Sequence, residues 1–269
     1  MLFGIRKKIN EVIISAFPEE CKKYNDFYLV IEYKECESSI SSYSFDKKMI
    51  KVNTLSRNSG DIIFSLLIET AKHIDIKIRN ETHLDKHYLN CLRKLLQDAL
   101  EMNLISKDDL INSKNDKMKR KLQETFGTFS AWQVASRELD DKFEIYVFES
   151  FMIKNILKAN QYYYDADQTC WIKKCNKEEY FEEQAFIDNY KDMAEFIVIS
   201  DNRFFIRPVY QLIVKSFSIE DSKLFRSYSF QFNKKTKVWE KVCYANEIKI
   251  ELKQIEDVPK QKVMIKQNK

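Results

Sequence analysis

"LLIETAKHID" (residues 66–75) decides how the first half of this chain is read. Leu66, Leu67, Ile68, Ala71 and Ile74 recur at helical spacing, so the stretch is the apolar stripe of an amphipathic helix. "SRNSGD" (56–61) ahead of it supplies turn and N-cap chemistry, and the helix is expected from about Asp61 to Arg79. Glu69, Lys72, His73 and Asp75 are set into or beside the stripe. Glu69 and His73 stand one helical turn apart on a shared face, and that pairing raises the question of metal chemistry.

Upstream, "MLFGIRKKINEVIISAF" mixes charges through its apolar positions and lacks both a continuous apolar core and a small-residue cleavage site. It is expected to be an amphipathic helix, not a signal peptide. Pro18 breaks the pattern, and "DFYLVIEYKEC" (26–36) reads as a strand rich in aromatic and β-branched residues. "SYSFDKKMIKVN" (42–53) reads as a hairpin with Asp46, Lys47 and Lys48 at its turn. Downstream, a second helix is expected from about Asp85 to Met102. A third starts at Ser106, an N-cap with Asp109 at the third helical position, and runs to Phe126, with Gly127 as its stop.

The order hairpin, helix 66–75, then "THLDKHY" (82–88) resembles the core of small zincin-type metallopeptidases, the SprT-like and polyvalent-protein peptidases of mobile elements. Those families carry "LLHELAHHID" and then a helix opening with "S-x-HDxxF". Leu66, Leu67, Glu69, Ala71, His73, Ile74 and Asp75 match the first motif, and Asp85 and Tyr88 match the second with Tyr in place of Phe. The likeness covers residues 42–104 and implies a zincin-like frame for that part.

The departures fall on the metal ligands. Zinc needs two histidines one turn apart plus a third donor. In this register those positions hold Ile68, Lys72 and Leu84: two side chains without a donor atom and one cation. Glu69 keeps the general-base position, but such a base acts on a metal-activated water. Glu69 and Lys72 are expected instead to pair at i,i+3. A displaced site is the other arrangement. The chain has three histidines, His73, His83 and His87, and a metal on Glu69 and His73 could be completed by His83, Asp85 or His87, with Glu69, His73 and His87 as the set singled out.

Past Gly127 the composition changes. "KFEIYVF" (142–148) reads as a strand, "ESFMIKNILKAN" as a short helix, 177–193 as a charged helix, and "EFIVIS" and "FFIRPVYQLIV" as strands. "YYYDADQTCWIKKC" (162–175) aligns without gaps on "FQFNKKTKVWEKVC" (230–243). Tyr162 matches Phe230, Tyr164 Phe232, Asp165 Asn233, Trp171 Trp239, Lys173 Lys241 and Cys175 Cys243. Each copy is an alternating aromatic strand, a polar turn and a strand with one Trp, the pattern of a half-buried hairpin. The copies resemble a small helix–hairpin module of plasmid and phage proteins over about fifteen residues each. Trp171 and Trp239 are either core anchors or a stacking surface for nucleobases flanked by Lys173, Lys174 and Lys241. One Cys per hairpin lacks the spacing of a structural zinc site. The helix segment 114–123 concentrates Lys114, Lys117, Lys119, Arg120 and Lys121, either as a solvated face or as a phosphate-binding one.

With 269 residues, 44% hydrophobic and 32% charged, the chain is globular, and 3 Gly exclude glycine-rich phosphate loops. Six cysteines without a CxxC pair fit a reduced, cytoplasmic protein without a disulfide framework. No Ser-His-Asp or Cys-His constellation is visible, no cofactor is expected, and no stretch is long and apolar enough for a bilayer. The expected fold is α+β. A zincin-like domain at 1–127 has lost its ligands, a duplicated helix and β-hairpin domain occupies 128–256, and 257–269 is a basic, disordered tail. The expected function is that of a phage or mobile-element binding protein, not an enzyme. It would occupy a protein or ribonucleoprotein partner, such as a host defence complex. The alternatives are a nucleic-acid-binding accessory protein that takes RNA or DNA, and a hydrolase with displaced metal ligands.

Overall fold

Ile5, Ile9, Val12, Ile13 and Ala16 recur at helical spacing, and α1 (Leu2–Ala16) buries all five. The computed structural model describes residues 2–32, 41–53, 57–81, 83–135, 142–166, 169–200, 203, 208–215, 219–244, 247–256 and 263–266. Among them the chain is mixed α and β, with strands gathered into three sheets.

After α1 and the single turn α2 (Cys21–Tyr24), strands β1 (Tyr28–Glu32), β2 (Ser41–Ser44) and β3 (Met49–Asn53) form a sheet in the order β1-β3-β2. β2 and β3 are the expected hairpin, with Lys48 at positive φ in its turn, and β1 runs parallel to β3. Ile50 and Val52 point inward from β3. They meet α3 (Ser59–Arg79), which Asn58 caps by accepting from the Asp61 amide at 2.8 Å. Asn80 ends it in the left-handed region at φ 62°.

Helix α3 is buried almost from end to end because the sheet covers one side and α4 (Lys86–Glu101) the other. That is why polar residues at 69, 70, 73 and 75 lie inside. Asp85 caps α4 through the Tyr88 amide at 3.0 Å, and α4 turns Leu89, Leu92, Leu95, Leu96 and Ala99 toward the core.

The single helix expected over 106–126 is two, α5 (Lys107–Asn112) and α6 (Asp116–Phe126). Ser113 adopts an extended conformation, and the Lys114 amide donates to buried Asp61 Oδ1 at 3.0 Å. Asn115 then starts a new helix by accepting from the Met118 amide. The side-chain partner across the core outcompetes helix continuation at this point. Gly127 stops α6 at φ 82°, as its position implies. One hydrophobic core runs from Ile5 to Trp132, a little beyond the expected boundary at 127.

The second half holds two units of identical topology. The first is β4 (Lys142–Phe148), α7 (Lys154–Ala159), β5 (Tyr163–Asp165), β6 (Cys170–Asn176), α8 (Lys177–Tyr190) and β7 (Glu195–Ser200). The second is β8 (Val209–Val214), α9 (Ile219–Ser227), β9 (Gln231–Asn233), β10 (Val238–Tyr244), α10 (Ile248–Gln254) and β11 (Val263–Lys266). Their sheets run β5-β6-β4-β7 and β9-β10-β8-β11, antiparallel throughout.

The registers repeat as well. Trp171 lies opposite Val147 and Tyr164, and Trp239 opposite Val214 and Phe232. Positive φ recurs at Gln161 and Ser229 and at Thr169 and Lys237. The duplication seen in the hairpins is therefore a duplication of the whole βαββαβ unit. Each sheet packs its own core, one around Val147, Leu157 and Cys175, the other around Val214, Phe225 and Cys243.

The tail expected to lie free from 257 onward contributes β11, whose residues Val263 to Lys266 pair with β8. Residues 257–262 and 267–269 lie outside the described residues, as do Cys36 and the far end of the strand expected over 26–36. Only four residues of a Lys-rich segment enter the sheet, too few for alternation to stand out in the sequence.

Candidate functional site

Helix α3 carries polar groups on two sides. Toward β2 lie Glu69 and His73, which meet Ser41 and Tyr43, alternate residues of that edge strand. Toward α4 lies Asp75, which meets His87. At 100° per residue Asp75 is roughly 200° round the helix from His73, so the two sides do not share a space.

Glu69 is buried, and both carboxylate oxygens are engaged. Oε1 accepts from Ser41 Oγ at 3.0 Å and Oε2 from Lys72 Nζ at 2.7 Å. The i,i+3 pair expected of Glu69 and Lys72 is present, but on a buried carboxylate instead of an exposed helix face. Of the positions where the peptidases carry ligands, Ile68 is packed in the core and Leu84 is exposed. Lys72 closes its ammonium onto Glu69.

His73 is fully buried. Its Nδ1 lies 2.7 Å from Tyr43 Oη, and the rings of Phe27 and Tyr43 flank it at 5.3 Å. Nε2 is 3.2 Å from Asp26 Oδ1 but off the line of a hydrogen bond. Burial pushes the imidazole down to about 4, against the pull of Asp26, so the ring is neutral at neutral pH. Burial also pushes Asp26 upward, but the ammonium groups of Lys48 at 2.8 Å and Lys77 at 2.7 Å prevail and hold it at about 2.

Asp75 is fully buried and takes both Nε and Nη2 of Arg79, at 2.9 and 2.6 Å, in a bidentate pair. His87 Nδ1 lies 2.8 Å from Asp75 Oδ1. Arg79 also reaches Asp85 at 2.7 Å and, with the Tyr88 amide, holds that carboxyl at about 2. Arg79 thus ties the end of α3 to the N-cap of α4. His83, exposed, stands 3.2 Å from Glu81.

The three histidines therefore face three different carboxylates, and Glu69, His73 and His87 are not brought together. Among the described residues no three His, Cys, Asp or Glu side chains gather as a metal site would require. Cys91, one turn after His87, is buried against the Ala71 carbonyl, and burial pushes its thiol up to about 12. A thiol at that value supplies almost no thiolate for nucleophilic work.

The remaining candidates separate by exposure. Lys114, Lys117 and Arg120 are exposed, with Arg120 Nε 3.8 Å from Glu124. Lys119 pairs with Asp116 at 2.9 Å, and Lys121 is half-buried. Trp239 is packed in the core of its unit, and Trp171 is partly buried at the matching place. Lys173 pairs with Glu183, and Lys241 with Glu251 at 2.6 Å. Lys174 pairs with Glu144. Both Trp residues and the two matched lysines are therefore turned toward the interior of their own units.

Asp26, Ser41, Tyr43 and Arg79 complete the polar clusters and lie outside the residues that the sequence motif marks. Ser41 and Tyr43 share one side of a strand, a signal that alternation offers; Asp26 carries no such mark. The chain matches no protein-family model, no curated protein and no solved structure.

Proposed function

We propose that the chain is a non-catalytic binding protein that acts by occupying a protein or ribonucleoprotein partner. Its first half would keep the frame of a small zinc peptidase whose site has been filled. The observation that carries this reading is the Lys72–Glu69 pair. The cation stands at a ligand position and engages the carboxylate that would otherwise activate water, at 2.7 Å. An ammonium there disfavours a divalent cation by charge, and Ile68 offers it no donor. The peptidases that the motif resembles belong to mobile elements, which makes a host defence complex the partner class to test first.

A nucleic-acid-binding reading draws less support, because Trp239 is packed in a core and Lys173 and Lys241 are ion-paired. The displaced hydrolase draws less still, since Asp75, itself paired with Arg79, meets His87 on the far side of α3 from His73.

The test is the metal content of untagged protein after zinc dialysis, read by inductively coupled plasma mass spectrometry beside a casein-cleavage assay. The reading expects no stoichiometric zinc and no cleavage. Stoichiometric zinc that vanishes in His73→Ala would overturn it in favour of the displaced site.

A further inference from the structure

The outward face of α4 carries a feature that the α3 clusters do not use. Asn90, Arg93, Lys94 and Gln97 point away from the core. With Asp98, Phe126 at the end of α6 and the segment Ala131–Gln133 they line an open groove of about 610 Å3. The Arg93 guanidinium lies over the rings of Phe126 at 4.7 Å and Trp132 at 5.6 Å, and Lys94 Nζ lies over Phe17 at 4.5 Å.

Among the described residues neither cation has a carboxylate partner, which sets them apart from the paired lysines of this chain. Trp132 is itself fixed, buried against Phe129 at 5.3 Å, and its Nε1 donates to the Gly127 carbonyl at 3.3 Å. Trp132, one of the two rings beneath Arg93, is therefore held in place by its own contacts.

We propose that this groove is the docking surface for an acidic peptide segment of a protein partner, with Arg93 and Lys94 receiving its carboxylates. The proposal rests on the binding-protein reading above and names the partner's chemistry. Three observations favour it. Arg93 and Lys94 outnumber the one carboxylate of the lining, Asp98, which accepts from Ser15 Oγ, so the groove favours an anionic ligand. A guanidinium stacked on two rings has already lost much of its freedom, so less is lost when its fork closes on a carboxylate. The side-chain amide of Asn90 gives a bound peptide main chain a hydrogen-bonding group on the rim, the Gln133 carbonyl being taken by Gln97 Nε2 at 2.7 Å. A nucleic-acid backbone fits less well, because it spaces its charges along a longer track. Of the neighbouring α6 cations, Lys119 and Arg120 are matched by Asp116 and Glu124.

The experiment is fluorescence anisotropy on the full chain at low ionic strength. The probe is a labelled dodecapeptide of alternating Glu and Tyr; its controls are the same peptide with Gln for Glu and an oligothymidylate of equal charge. Saturable binding of the acidic peptide is expected, with the Gln peptide silent. Arg93→Gln should weaken it roughly ten-fold, the loss of one charge-assisted bidentate pair, and Lys94→Gln several-fold. Both side chains are exposed, and circular dichroism verifies that the variants fold. No binding of the acidic peptide, binding unchanged in Arg93→Gln, or tighter Arg93-dependent binding of the oligothymidylate would each overturn the proposal. The binding-protein reading fails on a different readout, zinc uptake, which these variants leave untouched.

Discussion

Lys72 Nζ donates to Glu69 Oε2 at 2.7 Å, and this contact is the charge match of a carboxylate that is otherwise inside the protein. Ser41 supplies the second donor from the edge strand β2, so the pair joins helix to sheet as well as residue to residue.

Removing the cation leaves a buried carboxylate with one neutral donor. Lys72 is about one-third exposed, so the site is partly wet and the full cost of an orphaned buried charge does not apply. Lys72→Met is expected to cost about 2 kcal/mol. Glu69→Gln should cost less, because the amide still accepts from Ser41 and the freed ammonium reaches water. The double variant should be less destabilised than the sum of the two. Urea denaturation of the four proteins closes the cycle, and strict additivity would show that the pair contributes nothing.

His73 sets the acid limb of stability. Its folded value of about 4 lies below the ordinary 6.5, so the unfolded chain binds the proton that the folded chain refuses. Stability is therefore fully present above about 6.5 and is lost as pH falls toward about 4, by up to about 3 kcal/mol. Asp26, held at about 2, adds its own loss only below that window. His73→Phe keeps ring volume against Phe27 and Tyr43 and should flatten the profile between the two values. Denaturation midpoints measured across that range give the answer, and an unaltered slope in the variant would assign the limb to other groups.

The duplicated units make a matched comparison. Glu183 serves Lys173 and the hydroxyl of Tyr162, at 2.8 Å for the latter. Glu251 serves Lys241, but Phe230 replaces the tyrosine, and Lys241 also donates to the Tyr228 carbonyl at 2.8 Å. Glu183→Ala thus strands two donors, and Glu251→Ala strands one that keeps another acceptor. The expected costs are about 3 and about 1 kcal/mol respectively. Hydrogen exchange resolved by unit reads them separately. Equal costs would show that Tyr162 contributes nothing to its cluster.

Local signals carried well from sequence to structure. The helix through 66–75, the hairpin at 42–53, the Gly127 stop and the Trp hairpins were readable because apolar spacing, N-cap residues and turn residues act over a few positions. The split at Ser113 was not, because it depends on Asp61, far back in the chain. Nor was the parallel pairing of β1 with β3, or the strand Val263–Lys266, whose partner is fifty residues away. At the site, Glu69 and His73 could be chosen by type and spacing. Their neighbours Ser41, Tyr43 and Asp26 could not, since they arrive from other elements. The same limit hid the pairing of Lys173 with Glu183, which turns a lysine that reads as a surface cation toward the interior.

If α3 retains a peptidase frame, putting back the donors should put back the metal. Ile68 and Lys72 stand at i,i+4, so both side chains emerge on neighbouring turns of one helix face, the arrangement that two imidazoles need. In the double variant Ile68→His with Lys72→His, Glu69 loses its cation and stands beside two donors. Two imidazoles and a water make an incomplete tetrahedron, so zinc affinity should rise at least roughly ten-fold over the parent, and further when Leu84→His is added. Ile68 is packed in the core, so the variant is also expected to lose about 2 kcal/mol before metal is added and to regain part of it with zinc. Calorimetric titration with zinc and the zinc-dependent rise in melting temperature report the two effects independently. A folded double variant with parental zinc affinity would mean that the helix resembles the peptidase motif in sequence without presenting its ligand face.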